Sequence, residues 1–392
     1  MPTFYNYTQD GLIYSFNDVF VPADAFREGN LWTWGDFTSG ALGDNTAITR
    51  STPVTTFAGG SNWKQVSGGR NHCAAIKTDG TLWTWGYGGH GQLGNNTTTS
   101  KSTPVTTFAG GTNWKQVSFG AFRCTAIKTD GTLWTWGRGN SGQLGDNTTT
   151  AKSTPVTTFA GGTNWKQVSS SGYFCAAIKT DGTLWTWGSN ANGTLGDNTV
   201  TDKLTPVTTF AGGTNWKQVG GGYSYCAAIK TDGTLWTWGN NGYGKLGDNT
   251  SSSRLTPVTT FAGGTNWKQV SGGTDHCAAI KTDGTLLTWG RGDSGQLGDN
   301  TTSSSRLTPV TTFAGGTNWK QISCGGYHCA AIKTDGTLWT WGSASSGQLG
   351  DNTSSSRLTP VTTFAGGTNW KQVSGGRNHC AALTFIDPTF PS

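Results

Sequence analysis

The sequence predicts an all-β fold, a seven-bladed β-propeller whose four-stranded antiparallel blades close into a ring. One segment recurs seven times in the 392 residues, at a spacing of 51 residues up to the sixth copy and 52 residues for the last. Each copy contains four strand-like runs, and the incomplete copies at the two ends complement each other. The tryptophan of a Thr-Trp-Gly motif marks the copies, at Trp34, Trp85, Trp136, Trp187, Trp238, Trp289 and Trp341.

Four strands are expected in each copy because short apolar runs are separated by turn signals. In the first complete copy these runs cover residues 63–67, 72–77, 81–85 and 103–108. The dipeptide Asp79-Gly80 between the second and third runs is typical of a tight hairpin. Trp83 and Trp85 lie two residues apart and share one strand face, so we expect them to pack against the next blade.

The chain ends decide between a closed propeller and an open solenoid, which would need polar end caps. The repeats begin with a third strand, residues 31–34, and finish with a second strand, residues 379–383. Pairing of the N-terminal with the C-terminal strand would complete a seventh blade and remove both free sheet edges. That blade combines residues 370–385 with residues 31–57, and the other six begin near residues 63, 114, 165, 216, 267 and 319.

Three segments follow from the repeat. The propeller covers residues 31–385, in sequence units that start near residues 31, 82, 133, 184, 235, 286 and 338. Residues 1–30 form a non-repeating, aromatic leader that either covers the closure seam or docks onto another protein. Residues 386–392 form a tail with two prolines.

Charge and hydropathy exclude several function classes. The net charge is +6, and lysines in two repeated positions, the Lys64 and Lys77 registers, spread the basic residues in rings. We expect no nucleic-acid partner, because binding phosphates needs a concentrated basic surface. The N-terminus lacks the pattern of a signal peptide, and no apolar run is long enough for a transmembrane helix. We therefore expect synthesis in a cytoplasm and no membrane insertion.

Seven of the eight cysteines share one register of the repeat, which favours small, buried, free thiols in a reducing compartment. The eighth, Cys324, lies five residues before Cys329; free thiols are favoured there as well, and a disulfide between the two is the alternative.

Two short windows vary between otherwise nearly constant copies. One precedes the repeated cysteine and the other follows the Thr-Trp-Gly motif, and the strand order places both on one face of the disc. Aromatic residues and arginines, which are favoured at binding interfaces, occur in these windows. Neutral drift of solvent loops is the alternative explanation. The candidate binding residues are Arg70, Tyr87, His90, Phe119, Phe122, Arg123, Arg138, Tyr173, Phe174, Tyr223, Tyr225, Tyr243, Arg291 and Tyr327.

No catalytic, cofactor or metal site is expected. Four of the five histidines precede the repeated cysteine, but they belong to separate blades, and neighbouring strand residues point to opposite faces. The Asp-Asn-Thr loops, as at Asp146, offer one carboxylate each, which an Asx turn explains better than bound calcium. Without paired carboxylates, a triad or a cofactor motif, we expect no enzyme.

The repeated motifs Leu-Trp-Thr-Trp-Gly, Gly-Gln-Leu-Gly-Asp-Asn-Thr and Cys-Ala-Ala-Ile-Lys-Thr-Asp-Gly-Thr resemble the regulator of chromosome condensation repeat over residues 31–385. That resemblance implies a seven-bladed propeller with about 50 residues per blade. It implies no single function, because the family includes nuclear exchange factors, ubiquitin ligase domains and secreted β-lactamase inhibitors.

The leader Tyr-Asn-Tyr-Thr-Gln-Asp-Gly joined to near-identical repeats is similar to propeller proteins of marine bacteriophages. This resemblance implies a non-enzymatic virion component, such as a fibre tip, adhesin or decoration protein. Residues 1–30 would then bind other virion proteins, and the variable loops a host surface protein or glycan. The alternatives are a cytoplasmic regulator or inhibitor of a soluble protein, and a glycan-binding propeller. A homo-oligomer is compatible with each of them.

Overall fold

The computed structural model describes residues 29–385, together with the backbone of residues 14–16 and 19–21. Within these residues the fold is a ring of seven four-stranded antiparallel sheets, as the sequence predicts. In each of these blades the first strand is innermost and the fourth is outermost. Six blades take their strands in chain order, whereas the seventh combines strands from both ends of the chain.

The inner half of each blade consists of its first two strands. The first strands, from blade one to blade seven, are Trp63–Gly68, Trp114–Phe119, Trp165–Ser170, Trp216–Gly221, Trp267–Gly272, Trp319–Cys324 and Trp370–Gly375. The second strands are His72–Lys77, Arg123–Lys128, Phe174–Lys179, Tyr225–Lys230, His276–Lys281, His328–Lys333 and His379–Thr384.

The outer half of each blade consists of its third and fourth strands. The third strands are Leu82–Gly86, Leu133–Gly137, Leu184–Gly188, Leu235–Gly239, Leu286–Arg291, Leu338–Gly342 and, for blade seven, Leu31–Gly35. The fourth strands are Lys101–Thr106, Lys152–Thr157, Lys203–Thr208, Arg254–Thr259, Ser305–Thr311, Arg357–Thr362 and Arg50–Thr55.

Among the described residues, one two-stranded sheet and two short turns lie outside the blade strands. Strands Tyr14–Phe16 and Val19–Val21 form a two-stranded antiparallel sheet in the leader. Short 3-10 turns cover Thr38–Gly40 and Gly242–Gly244. No helix among the described residues is long and apolar enough to cross a membrane. The expected docking role of residues 1–30 and the tail 386–392 fall largely outside the described residues.

The ring closes through blade seven. Its third strand pairs antiparallel with the last strand of the chain, with Trp32 opposite Ala382 and Trp34 opposite Cys380. This register is the one that Trp83 and Trp85 have with Ala75 and Cys73 inside blade one. The predicted closure by the two terminal strands is therefore confirmed.

Tryptophans join each blade to its neighbour. The side chain of Trp85 is fully buried and its Nε1 donates a hydrogen bond of 3.0 Å to the carbonyl of Ala41, in the preceding blade. Between blades six and seven, Trp34 Nε1 makes the same bond to the carbonyl of Gln348 at 3.0 Å. Trp83 is only partly buried and packs edge-to-face on Trp63 at 6.3 Å. Because such indole hydrogen bonds cross the seams, the tryptophans fix blade order as well as filling the core.

The tight hairpins between second and third strands need glycine. Gly80 has a φ of +80°, and a Cβ at that position would lie 2.0 Å from the carbonyl oxygen of Thr112. A side chain there would therefore clash with the next connection as well as strain the backbone. The predicted Asp-Gly turn is present, and Asp79 accepts hydrogen bonds from the backbone and hydroxyl of Thr81.

Candidate functional site

The two variable windows lie side by side on one face, as their positions in the sequence predict. The backbone N–H of Tyr87, which follows a third strand, donates a hydrogen bond of 2.8 Å to the carbonyl of Asn71, which precedes a second strand. The same bond joins Asp36 to Asn378 in blade seven. The loops that carry sequence variation therefore form one continuous surface, the variable face.

At the centre of the variable face the first strands end around a cavity of about 410 Å³. Serine and glycine line most of its wall, and Arg70, Tyr223, Tyr327 and Arg377 stand at its mouth. Glycine is required in part of this wall because neighbouring backbones approach closely: a Cβ on Gly375 would lie 2.7 Å from the backbone nitrogen of Gly325. Because all seven blades contribute to its wall, the cavity lies on the axis of the ring. It forms the end of the central channel on the variable face.

Half of the predicted binding residues come together beside this cavity. We call this group the aromatic–arginine patch, and it consists of Arg70, Tyr87, His90, Phe122, Arg138, Tyr173 and Tyr223. Its members come from blades one to four and are partly buried against one another.

Phe122 is the centre of the aromatic–arginine patch. The guanidinium groups of Arg70 and Arg138 lie 4.9 and 5.7 Å from the centre of its ring. The His90 ring meets it edge-on at 5.1 Å, and Tyr87 packs against His90 at 5.9 Å. Cations over aromatic faces are attracted by the ring quadrupole, which holds these flexible arginines in place.

Tyr173 and Tyr223 extend the patch towards the channel. Their rings are 5.2 Å apart, and the Tyr223 hydroxyl donates a hydrogen bond of 2.8 Å to the Tyr173 hydroxyl. Burial and this hydrogen bond raise the pKa of Tyr223 to about 12, against the opposing effect of Arg70 and Arg377. Tyr223 therefore stays neutral at physiological pH and offers a hydroxyl group rather than charge.

The patch is electropositive. Among residues 29–385, Arg70, Arg138 and Arg377 form no ion pair with a carboxylate. Burial, and then the charge of Arg138, lower the pKa of His90, so this imidazole is neutral at pH 7. The positive charge thus comes from arginines whose groups are already placed by neighbouring rings.

A second, smaller cluster lies on blades four and five, and its charges neutralise one another. Arg291 lies 5.1 Å from the Tyr243 ring and pairs with Asp293 at 2.7 Å. Lys245 pairs with Asp275 at 2.6 Å. Tyr243 is exposed, whereas Tyr327 is half-buried at the channel mouth. This cluster offers less unpaired charge for a partner than the aromatic–arginine patch.

The expectation that all candidate residues are exposed is wrong for Phe119, Arg123, Phe174 and Tyr225, which are at most 5% exposed. Three of them occupy the first position of a second strand, which points into the seam between blades. Arg123 Nε donates to Cys175 Sγ at 3.0 Å, and its other nitrogens donate to three backbone carbonyls of blade three. Tyr225 donates to the carbonyl of His276 at 2.5 Å. These side chains stabilise the blade interfaces and are almost completely removed from solvent.

The histidines of the same register also face the next blade. The expectation that histidine and cysteine stay apart because they lie on separate blades is wrong: His379 Nε2 lies 3.0 Å from Cys73 Sγ, and His328 Nε2 lies 3.0 Å from Cys380 Sγ. Burial lowers the pKa of His379 to about 4 and raises the pKa of Cys73. A neutral imidazole against a protonated thiol is a packing contact and not an activated nucleophile.

The seam between blades five and six differs from these pairs. Here three side chains with metal-ligating atoms converge, His276, Cys324 and Cys329, with those atoms within 4.8 Å of one another. The structure leaves all eight cysteines as free thiols.

Sequence reasoning missed two features. Arg377 stands at the cavity mouth in the same position as Arg70, and the identical windows Gly-Arg-Asn-His could have revealed it. A ring of phenylalanines, each 65–67% exposed, lies on the face opposite the variable windows, and its members are Phe57, Phe108, Phe159, Phe210, Phe261, Phe313 and Phe364. They were expected to end the fourth strands, which instead stop before them.

Known proteins share this architecture. The family model of the RCC1-like domain matches residues 25–312 and, in an overlapping second match, residues 160–386. The ultraviolet-B receptor UVR8 of Arabidopsis thaliana is 32% identical over 336 residues, covering 84% of this chain and 76% of the receptor. The E3 ubiquitin-protein ligase HERC2 of Homo sapiens is 29% identical over 371 residues, which are 92% of this chain but 8% of the ligase.

Among solved structures, Prp20p from Saccharomyces cerevisiae superposes with a TM-score of 0.81 at 16% identity, covering 92% of this chain and 93% of Prp20p. This likeness shows the fold, and the family match extends over nearly all of the described residues. The chain therefore belongs to the RCC1-like domain family of seven-bladed β-propellers.

Proposed function

We propose that this propeller is a non-catalytic regulator that binds a partner protein through the aromatic–arginine patch. The observation that carries the proposal is the convergence of seven side chains from four blades, with Phe122 at their centre and with arginines that have no carboxylate partner. Aromatic residues and arginines of this kind are the side chains that dominate protein interfaces. UVR8 is a receptor, and Prp20p is described with binding properties to Gsp1p and histones, which supports a protein-binding role in this fold.

The patch favours a partner segment with acidic and apolar side chains. Arg70 and Arg138 can each direct N–H groups at a carboxylate while their planes remain on Phe122. Arg377 adds a third positive charge, close enough to Tyr223 to oppose the rise in its pKa. The aromatic rings already hold the guanidinium groups in the free protein. The arginine side chains therefore lose less conformational entropy when a partner binds, which should improve affinity.

A peptide array tests the proposal. Each acidic, aromatic-containing peptide is paired with a version in which Asp and Glu are replaced by Asn and Gln, and binding is measured at low and high salt. We expect binding of acidic peptides that weakens with salt and that is lost in the double variant Arg70→Ala, Arg138→Ala. The control is Lys115→Ala with Lys166→Ala, which removes equal charge from exposed residues at the opposite end of the first strands. Equal binding to both versions of each peptide, or equal loss in the control, would contradict the proposal.

Two other functions predict different outcomes. A glycan-binding propeller would use Tyr87 and Phe122 as stacking platforms and would bind a glycan array without dependence on acidic groups. A virion component would be found in purified phage particles. The relatives named above favour the regulator over the virion component, and the location of the protein, in a virion or in a cytoplasm, stays a prediction.

A further inference from the structure

The seam between blades five and six contains a group of ligands that the other seams lack. Cys324 is the last residue of the first strand in blade six and stands directly opposite Cys329 in the sheet, with their sulfurs 2.7 Å apart. His276, from blade five, places Nε2 at 3.2 Å from Cys329 Sγ. His276 and Cys329 are fully buried, whereas Cys324 is 7% exposed and lines the central cavity.

Comparison of the repeats isolates the third ligand. Histidine and cysteine meet in the same way at two further seams, His328 with Cys380 and His379 with Cys73, both at 3.0 Å. In the other six copies the register of Cys324 holds Gly68, Phe119, Ser170, Gly221, Gly272 and Gly375. The thiol of Cys324 therefore turns a common packing contact into a set of two sulfurs and one imidazole nitrogen.

The polar contacts of the His276 ring are with the two cysteines of blade six. Its Nδ1 makes no hydrogen bond with any described residue, whereas its Nε2 lies 3.2 Å from Cys329 Sγ and close to Cys324. A buried imidazole aimed at two cysteines from a different blade is the ligand type that zinc and other thiophilic metals select.

We propose that His276, Cys324 and Cys329 bind one Zn²⁺ ion that links blade five to blade six. Two thiolates neutralise a divalent cation, so the buried complex carries no net charge, whereas Cu⁺ with the same ligands would leave a negative charge in an apolar seam. Three protein ligands leave the fourth tetrahedral position of the ion open. Because Cys324 borders the central cavity, this position faces the channel, where water can occupy it.

Binding requires a small rearrangement. With Zn–S bonds near 2.3 Å, tetrahedral geometry separates the two sulfurs by roughly 3.8 Å, so the thiols must move apart by about 1 Å and lose their protons. The competing reaction is loss of two electrons and two protons to an oxidant such as a disulfide, which would join the sulfurs at about 2.05 Å. Zinc binding and disulfide formation exclude each other, and one experiment separates them.

The test uses the full chain, purified with a phosphine reductant and without oxygen. Zinc content is measured after dialysis against Zn²⁺, and Co²⁺ is substituted to record thiolate-to-metal charge transfer and the absorption of tetrahedral cobalt. We expect one zinc ion per chain and both cobalt signals. Cys324→Gly, which introduces the residue of blades one, four, five and seven, should lose the ion and the charge-transfer band while remaining folded.

Two matched variants complete the design. Cys380→Ala removes a histidine–cysteine contact from the neighbouring seam, where no third ligand exists, and should keep one zinc ion. Gly68→Cys places a thiol opposite Cys73 and beside His379, at a position where a Cβ would be 3.0 Å or more from its neighbours, and should add a second ion. Three results would overturn the proposal. They are reduced wild-type protein that binds no zinc, a Cys324→Gly variant that keeps the ion, and a disulfide between Cys324 and Cys329 that forms despite excess zinc.

Discussion

The side chain of Gln372 makes both backbone hydrogen bonds of Val66, although the two residues are 306 positions apart. Its Nε2 donates to the Val66 carbonyl at 3.2 Å, and its Oε1 accepts from the Val66 N–H at 3.2 Å. The same bridge joins Gln167 to Val219 between blades three and four. The seam between blades seven and one, which we call the closure seam, is therefore built in the same way as an internal seam.

Replacing either glutamine should destabilise the fold equally. Gln372→Ala and Gln167→Ala each leave a partly buried N–H and a carbonyl without a partner, which should lower the free energy of unfolding by about 1–3 kcal/mol. Urea denaturation of the two variants measures the difference. A loss in Gln167→Ala without a loss in Gln372→Ala would mean that the closure seam does not form in solution.

Stability should fall in mild acid because buried histidines must be protonated when the chain unfolds. Burial is the main cause that lowers the folded-state pKa of His72 to about 3 and of His379 to about 4. The unfolded chain, with histidine pKa values of about 6.5, binds more protons. The free energy of unfolding is therefore highest above a pH of about 6.5. As the pH falls from there towards the folded-state pKa values, each ring lowers it by about 1.4 kcal/mol per pH unit. Denaturation midpoints measured from neutral pH downwards check this, and a midpoint that stays constant across the window would contradict it.

The substitution His72→Phe should stabilise the protein. Neither buried ring nitrogen of His72 makes a hydrogen bond of good geometry with a described residue, and the ring packs on Phe119 at 4.3 Å. Blade three already has Phe174 in this register, so the seam accepts a phenyl ring. We expect the free energy of unfolding to rise by about 1 kcal/mol and its pH dependence to become shallower. Denaturation at neutral and acidic pH measures both, and a loss of stability at neutral pH would show that the imidazole has a partner.

Buried and exposed arginines of the variable face should contribute differently to the free energy of unfolding. Arg123→Ala removes a buried guanidinium that donates to a thiol and three carbonyls, and should lower the free energy of unfolding by about 3 kcal/mol or more. Arg138→Ala removes a partly exposed side chain held by Phe122 and Asn140, and should change it by less than about 1 kcal/mol. Thermal and urea unfolding compare the two. Equal losses would contradict the burial of Arg123 in the seam.

The sequence was sufficient for the fold and for the identity of the variable face. The constant spacing of Trp34 and its equivalents gave the number of blades, and the strand types at the two ends gave the closure. The antiparallel order of strands then determines which connections share a face, so the proximity of Tyr87 to Asn71 was predictable. These inferences need only the repeat and the alternation of strand direction.

The direction of single side chains was not predictable in the same way. Arg123 lies between a surface loop and a strand, and a charged residue in a variable window resembles a solvent-exposed one until its contacts with blade three are known. Those contacts join residues about one repeat apart, which no local pattern reports. Two further features depend on the same geometry between blades. They are the convergence of His276 with Cys329 and the exposure of Phe159 on the face opposite the variable face.

Completion of blade seven by the two ends of one chain has a consequence at high concentration. The terminal strand of a second molecule carries the same residues as the chain's own His379–Thr384, so it can occupy the same place beside Leu31–Gly35. Intramolecular pairing wins in dilute solution because the two ends of one chain are present at a high effective concentration. During refolding of crowded, unfolded chains that advantage is reduced, and exchanged rings or chains of linked propellers become the characteristic misassembled products.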